Sequence, residues 1–357
     1  MTNYSIIIPS YTIGPDAYLE IPRRCRLYGK KAVVIGGKKA MAAAKEKLLA
    51  AVKDSGIEIT GFFLYGTEAS YEAAAALEEN SIVRCADMIF AVGGGKAVDT
   101  AKLAALHLDK PFFTFPTIAS NCAAASSVAI IYHPDGSFRE FVHYLETARH
   151  VFIDTDIIAR APDRYLWAGI GDTYAKYYEV TLSARGEELE HYLALGVNMS
   201  RMCMDPLVRY GEQAIADNRA GKASYELEQC TLAVIITTGW VSMLVSRRHN
   251  MLYNGGAAHA LFYALCSLPG FDETHIHGVV VGFGVLLQLL IDGDEEEFEK
   301  LRDFNLRIGL PVSFGEIGVS LEDLEKVIPQ IIADEDVEHF PYKLNHDMIM
   351  AAARRLA

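Results

Sequence analysis

Hydrophobic and polar positions fall into two regimes along this chain, with a change near residue 159. Before it, short apolar runs alternate with longer amphipathic ones. The run KAVVI at 31–35 is rich in β-branched residues and is closed by Gly36-Gly37. The Ala-, Lys- and Leu-rich stretch 39–55 then has helical spacing. Further strands are predicted at 57–64, 88–92, 111–115, 127–132 and 151–154, with helices at 71–86 and 97–106. Strands separated by helices of this length imply βαβ units and a mostly parallel sheet.

After the change, strand signals fade. Long apolar helical stretches follow at 165–183, 190–215, 224–247, 256–267 and 279–290, with charge-rich surface helices at 292–302 and over the last twenty residues. A chain of 357 residues exceeds what one hydrophobic core usually holds. The expected architecture is therefore an α/β N-terminal domain over residues 1–160 and an all-α C-terminal domain over 161–357, with no internal repeat and no low-complexity tract.

Composition narrows the function. The chain is 51% hydrophobic and 22% charged, which fits a folded protein with a sizeable core. Its net charge of -13, with no basic block, argues against nucleic acid or an anionic membrane as partner but leaves small anionic ligands open. Cys25, Cys85, Cys122, Cys203, Cys230 and Cys266 form no C-x-x-C pair and read as free, mostly buried thiols of a reducing compartment. The N-terminus MTNYSIIIPS lacks the basic start and long apolar stretch of a signal peptide. The most apolar stretch, 231–245, is interrupted by Thr237, Thr238 and Gly239 and reads as a buried helix rather than a membrane span. A cytoplasmic protein is expected.

Two places carry candidate chemistry. In the first half, FAVGGGKAVDTAK at 90–102 takes a buried strand through three glycines into a helix. Glycines permit close backbone approach and positive φ, and a helix start offers free N–H groups and a positive dipole end. Together they suit a pyrophosphate, although a plain strand-to-helix turn has the same outline. Lys96 is a charge partner for phosphate or a surface lysine; Asp99 suits the helix dipole and can simply cap the helix. In the second half, AGIGD opens a helix with Asp172, GGAAHA places His259 on a tightly packed stretch, and HIHG places His277 before an apolar helix. One carboxylate and two imidazoles suit a divalent cation with an open position for a substrate oxygen. Each is individually also a cap or a packed core histidine, and they come from distant segments.

Taken in order, GGGKAVDTAK at 93–102, PTIAS at 116–120, AGIGD at 168–172, the Ala-Ala-His259 segment and HGVVVGFG at 277–284 resemble the iron-containing (group III) alcohol dehydrogenases over nearly the whole chain, most closely the glycerol dehydrogenase branch. The resemblance implies the dehydroquinate synthase-like architecture, with a dinucleotide-binding α/β domain, a helical domain and a cleft between them. It implies NAD or NADP and one Zn²⁺ or Fe²⁺. It makes Asp172, His259 and His277 the metal ligands and catalytic residues. Gly94, Gly95, Lys96, Thr117 and Ser120 become cofactor contacts, as do Ser126, Val128 and Tyr132 beside the nicotinamide; Gly37 and Asp99 join that set. It further implies a homo-oligomer acting on a small molecule.

Three departures bear on specificity. The branch usually reads P-T-I-A-S-T-D, with the Asp facing the polyol; here Asn121-Cys122 follows Ser120, so Cys122 stands at the substrate position and a carboxylate is missing. Members preferring NAD carry an Asp at the place of Gly37; here Lys38 and Lys39 follow a glycine, which either favours NADP or dual use or simply starts a solvated helix. A second His one turn after the first His ligand is replaced by Phe262, and the usual H-G-E-K-V is H-G-V-V-V, so the site is more apolar than polyols require. The expected reaction is hydride transfer between NAD(P) and a small alcohol or polyol. The alternatives are a 2-hydroxycarboxylate dehydrogenase, with Arg247 or Arg248 as candidate carboxylate binders, and, further off, a dehydroquinate-synthase-type lyase. His275 is a possible proton relay or a surface residue.

Overall fold

The computed structural model describes residues 5–143, 146–246 and 253–357. Strands β1 (Ser10–Gly14), β2 (Lys31–Gly36), β3 (Glu58–Leu64), β4 (Met88–Gly93), β5 (Phe112–Pro116) and β8 (His150–Asp154) form one all-parallel sheet in the order β1-β8-β5-β4-β2-β3. Side chains alternate between its faces as the strand period requires. On one face Val34, Phe90 and Phe113 pack against Ala44, Leu48, Ala51 and Val52 of the helix Lys38–Val52. On the other, Val33, Ile35, Ile89 and Ala91 meet Leu77 and Val83 and the helix Gly95–His107 through Val98, Ala101 and Ala105. A sheet covered on both faces explains why β2 and β4 read as unbroken apolar runs.

The connectivity creates a switch point. After β2 the chain crosses to β3 on one side; after the adjacent β4 it crosses to β5 on the other. Connections leaving in opposite directions from neighbouring parallel strands leave a crevice at their C-terminal ends, the usual ligand position in such sheets. Gly36-Gly37 and Gly93–Gly95 lie there.

Some elements differ from the sequence expectation. The strand at 127–132 does not join the sheet; as β6 (Val128–Tyr132) it pairs antiparallel with β7 (Phe138–His143). Its neighbour β7 and the edge strand β1 carry too few apolar residues to announce themselves. The expected helix 71–86 is two helices, Tyr71–Glu78 and Ser81–Cys85, because the Asn80 side chain accepts the Ile82 and Val83 N–H groups and starts a new helix.

The second half is helical throughout its described residues. The helix Asp163–Ser183 packs against His277–Asp292, and Ala257–Leu265 packs on His277–Asp292 in turn. The expected helix 190–215 is interrupted, giving His191–Ser200, a short 3-10 turn and Asp205–Arg219. The apolar run Tyr225–Val245 is an interior helix, 67% buried over its most apolar window. It widens into a π turn at Ala233–Thr237, where the Thr238 hydroxyl donates to the Ala233 carbonyl at 2.9 Å. No two of the six cysteines form a disulfide, and Cys25, Cys203 and Cys230 are buried.

The chain divides into two compact units, Met1–Pro162 with Ala216–Thr231, and Asp163–Ile215 with Leu232–Ala357. This differs from a division into two continuous segments. The reason is local: the Asn218 side chain donates to the carbonyls of Ile158, Ala159 and Ala161 at 2.9–3.1 Å, tying its segment to the end of the first unit. Arg247 and Arg248, and residues 1–4 of the N-terminal stretch, lie outside the described residues.

Candidate functional site

In the first unit the candidate site is built from main chain. β4 runs into Gly93, whose φ of +147° is a conformation that side chains disfavour. Gly94 begins the helix Gly95–His107 without any side-chain cap, so the first N–H groups of that helix are left for a ligand. A Cβ on Gly94 would lie 2.5 Å from Ile118 Cδ1, and one on Gly95 3.0 Å from Asn121 Nδ2. The missing side chains let Ile118 and Asn121 pack directly on the loop, and the main chain with its uncapped helix start is the kind of donor set a pyrophosphate fits. Gly37 caps the helix Lys38–Val52 with an ordinary φ of -81°, and a Cβ there would meet only Tyr65 Cε1, at 3.6 Å. Its lack of a side chain is thus no steric necessity.

The other expected cofactor positions group around this loop. Lys96 Nζ is 2.5 Å from Glu68 Oε2 and 5.3 Å from the centre of the Tyr132 ring. Thr117 is buried beside the loop, its N–H 3.4 Å from the Gly93 carbonyl, and Ser120 is half-buried. Asp99 turns inward instead. Its carboxylate accepts from Lys102 Nζ at 3.1 Å and from the Ile130 N–H at 3.2 Å, while Lys102 also reaches Ser126 Oγ and the Val128 carbonyl. This buried pair fastens the β6–β7 hairpin to the loop helix and so fixes Ser126, Val128 and Tyr132 relative to the glycines. Burial pushes the Asp99 carboxyl up, against the opposing pull of Lys102. Cys122 is half-buried, and its carbonyl accepts from the Ala125 and Ser126 N–H groups.

In the second unit the candidate site is built from side chains. Asp172, His259 and His277 come together, each offering a ligand atom within 4.8 Å of the others. His259 Nε2 and His277 Nε2 lie 3.5 and 3.4 Å from Asp172 Oδ1. Ligands at ~2.1 Å from a tetrahedral zinc stand roughly 3.4 Å apart, so two of the three edges already match. The glycines of the motifs explain the approach. A Cβ on Gly171 would lie 2.2 Å from the Gly278 carbonyl oxygen, and one on Gly278 would lie 2.1 Å from that of Ala168. Only with both absent do the helices Asp163–Ser183 and His277–Asp292 bring Asp172 beside His277. His259 and Asp172 are mostly enclosed, with 11% and 13% of their side chains exposed, whereas His277 is 39% exposed, so the cluster is open on that side. Phe262 packs edge-on against His277 at 4.4 Å and keeps that wall apolar.

Burial alone would push Asp172 up, but the hydrogen bonds from His259 and His277 outweigh it and hold the carboxylate well below its usual range. Burial likewise disfavours a charged His259, but the Glu179 and Asp172 carboxylates prevail and push it up to about 10. The ring lies between two carboxylates, with Nδ1 facing Glu179 and Nε2 facing Asp172.

Four residues around this cluster have no counterpart in the sequence reading. Glu179 is fully buried and bonds His259, and buried Gln288 bonds the Ala257 N–H. Lys176 donates to the Asn254 carbonyl and side-chain oxygens. Asp336 lies against Gly255 and is pushed by burial up to about 7, with His259 opposing. Asp172, Lys176 and Glu179 follow the spacing i, i+4, i+7, so a polar stripe along an apolar helix was the available signal. His275 turns away: its ring stacks on Phe271 at 4.1 Å, with Nδ1 2.9 Å from the Phe271 carbonyl.

Comparison with known proteins identifies the family. Residues 9–155 match the iron-containing alcohol dehydrogenase profile. The chain is 32% identical over 274 residues to hydroxycarboxylate dehydrogenase A of Escherichia coli (strain K12), covering 75% of this chain and 74% of that protein. It is 30% identical over 339 residues to glycerol dehydrogenase 1 of Schizosaccharomyces pombe, covering 91% and 72%. The crystal structure of glycerol dehydrogenase from Schizosaccharomyces pombe superposes with a TM-score of 0.87 at 27% identity, covering 100% of this chain and 91% of that one. With a parallel α/β first unit, a helical second unit and these relatives, the chain belongs to the iron-containing alcohol dehydrogenase family and is an oxidoreductase acting on alcohol groups.

Proposed function

We propose that the chain binds NAD(P) on the Gly93–Gly95 loop and one divalent cation, Zn²⁺ or Fe²⁺, on Asp172, His259 and His277, and exchanges a hydride with a small alcohol or polyol. The observation that carries this reading is the convergence of one carboxylate and two imidazoles on three separate helices, with both imidazole–carboxylate distances at tetrahedral-edge spacing. When bound, such a cation polarises a hydroxyl or carbonyl oxygen, and the dinucleotide supplies the hydride chemistry. The chain's own residues do the rest. Asp172 contributes negative charge, and His259 and His277 contribute neutral lone pairs. Phe262 and the glycine-packed helices limit water at the cluster. Gly94 and Gly95 offer main-chain N–H groups to the pyrophosphate, with Lys96 as its counter-charge, while the Asp99–Lys102 pair holds the nicotinamide-side residues Ser126, Val128 and Tyr132 in place.

A specific observation favours a second substrate class. Cys122 stands where the glycerol dehydrogenase branch has an Asp for polyol hydroxyls, and the similar Escherichia coli protein is named a hydroxycarboxylate dehydrogenase. The alternative substrate is a 2-hydroxy or 2-oxo acid. Initial rates at the reduced-nicotinamide absorbance separate the two. NADH and NADPH are each run against dihydroxyacetone, simple aldehydes and several 2-oxo acids, with and without Zn²⁺ or Fe²⁺. Metal-dependent turnover of dihydroxyacetone supports the polyol reading, and turnover confined to oxo acids replaces it with the second. Rates unaffected by adding or chelating metal overturn the proposed cation site.

A further inference from the structure

We infer that Glu179 is the positioning residue that presents His259 to the cation and sets the affinity of the site. This rests on the metal reading proposed above. The helix Ala257–Leu265 begins at Gly256, which is extended and provides no side-chain cap. Its first N–H groups face the interior and need partners. Two of these find acceptors on other helices: Gln288 Oε1 accepts from the Ala257 N–H, and Glu179 Oε1 accepts from the His259 N–H, each at 3.0 Å. The second carboxylate oxygen, Oε2, lies 2.7 Å from His259 Nδ1. One buried carboxylate therefore holds the main chain and the ring of the same residue.

Gly256 makes this possible. A Cβ there would lie 2.8 Å from both Gln288 Oε1 and Glu179 Cγ. The glycine ahead of the histidine motif thus serves the residues behind the ligand. An ionised carboxylate only accepts, so Nδ1 must carry a hydrogen toward Glu179. That leaves Nε2, the atom facing Asp172, as the position where a cation would take the place of a proton.

The test compares the full-length wild-type protein with Glu179→Gln, Gln288→Met and His259→Ala, titrated with Zn²⁺ against a chromophoric chelator and with Co²⁺ followed by its visible absorption. A glutamine has one acceptor oxygen for two donors and offers N–H groups to Nδ1. Glu179→Gln should therefore weaken Zn²⁺ binding about 10- to 100-fold and alter the Co²⁺ spectrum. Gln288→Met, which removes a main-chain partner without touching the ring, should stay within about threefold of wild type. Nitrogen-15 NMR of the wild-type protein loaded with Zn²⁺ needs no variant to fold: it should show the His259 hydrogen on Nδ1 and the metal on Nε2. Metal on Nδ1, or Glu179→Gln binding as tightly as wild type while His259→Ala does not bind, overturns the role of Glu179 and leaves the metal site standing. Equal binding by wild type and His259→Ala overturns the ligand assignment itself.

Discussion

The first unit offers a ligand its main chain; the second offers side chains. At Gly93–Gly95 the available groups are N–H donors of a loop and a helix start, and the side-chain requirement is mainly that side chains be absent. At Asp172, His259 and His277 the groups belong to three helices, and each must be carried to within 4.8 Å of the others by packing. A main-chain site survives most changes that leave the turn intact. A side-chain site depends on each donor and on the packing that aims it. The two should therefore fail independently.

The sharpest way to break that independence is His259→Ala. It removes one of two imidazoles from the cluster and should cost at least about 10³-fold in metal-dependent turnover, which corresponds to several kcal/mol of lost transition-state stabilisation. Dinucleotide affinity, measured by fluorescence of the bound reduced cofactor, should change little. Normal turnover by this variant would show that the cluster does no chemistry.

The next effect comes from the packing that aims the donors. Gly278→Ala would place a methyl 2.1 Å from the Ala168 carbonyl oxygen and 2.9 Å from Asp172 Cβ. Backbone cannot give way there as a side-chain tip would, so overpacking should cost about 1–3 kcal/mol in urea unfolding, with weaker Zn²⁺ binding as the helices part. Unchanged stability would mean that the helix crossing is looser than the glycines suggest. In the main-chain site the matching change is smaller and alters preference instead of fold. Gly37→Asp fits the existing φ and the space near Tyr65, and places a carboxylate at a helix N-cap, where it is welcome. It should lower kcat/KM for NADPH relative to NADH by about tenfold or more and leave Zn²⁺ affinity unchanged. An unaltered cofactor ratio would detach Gly37 from the ribose.

The contrast also explains what was legible in the sequence. The strand-helix alternation and the later helices are periodic patterns, and the glycine loop is a contiguous string. The three donors are named by short motifs. Gly278 and Gly171 are visible too, but their purpose is a contact between segments about a hundred residues apart in sequence, which no local pattern states. Glu179 was missed for a related reason: a carboxylate two helical turns beyond Asp172 looks like any polar residue until the fold buries it against His259. β1 and β7 were missed because edge and hairpin strands bury too little apolar surface to leave a period-2 signal. Asp99 and Lys102 look like members of a cofactor motif, and the structure shows them also fastening the neighbouring hairpin.

The smallest expected effect tests the first unit away from its ligand loop. His150 on β8 is buried, and its two ring nitrogens lie 2.6 and 2.8 Å from the hydroxyls of Ser10 and Thr12 on edge strand β1. Ser10 Oγ also donates to the Arg149 carbonyl, so it accepts from Nδ1–H, and Thr12 donates to Nε2. Both nitrogens are satisfied with a neutral ring. Burial, aided by repulsion from Arg24, brings His150 from 6.5 down to about 4. The folded state then binds fewer protons than the unfolded state between these values. The contribution of His150 is whole above the unfolded value and declines as pH falls from 6.5 toward 4, by at most about 1.4 kcal/mol per pH unit. Urea unfolding at pH 7 and pH 5 should show this loss, and His150→Gln should flatten the difference while leaving Zn²⁺ affinity unchanged. An equal pH dependence in the variant would place the acid sensitivity elsewhere and free β1 from depending on a neutral imidazole.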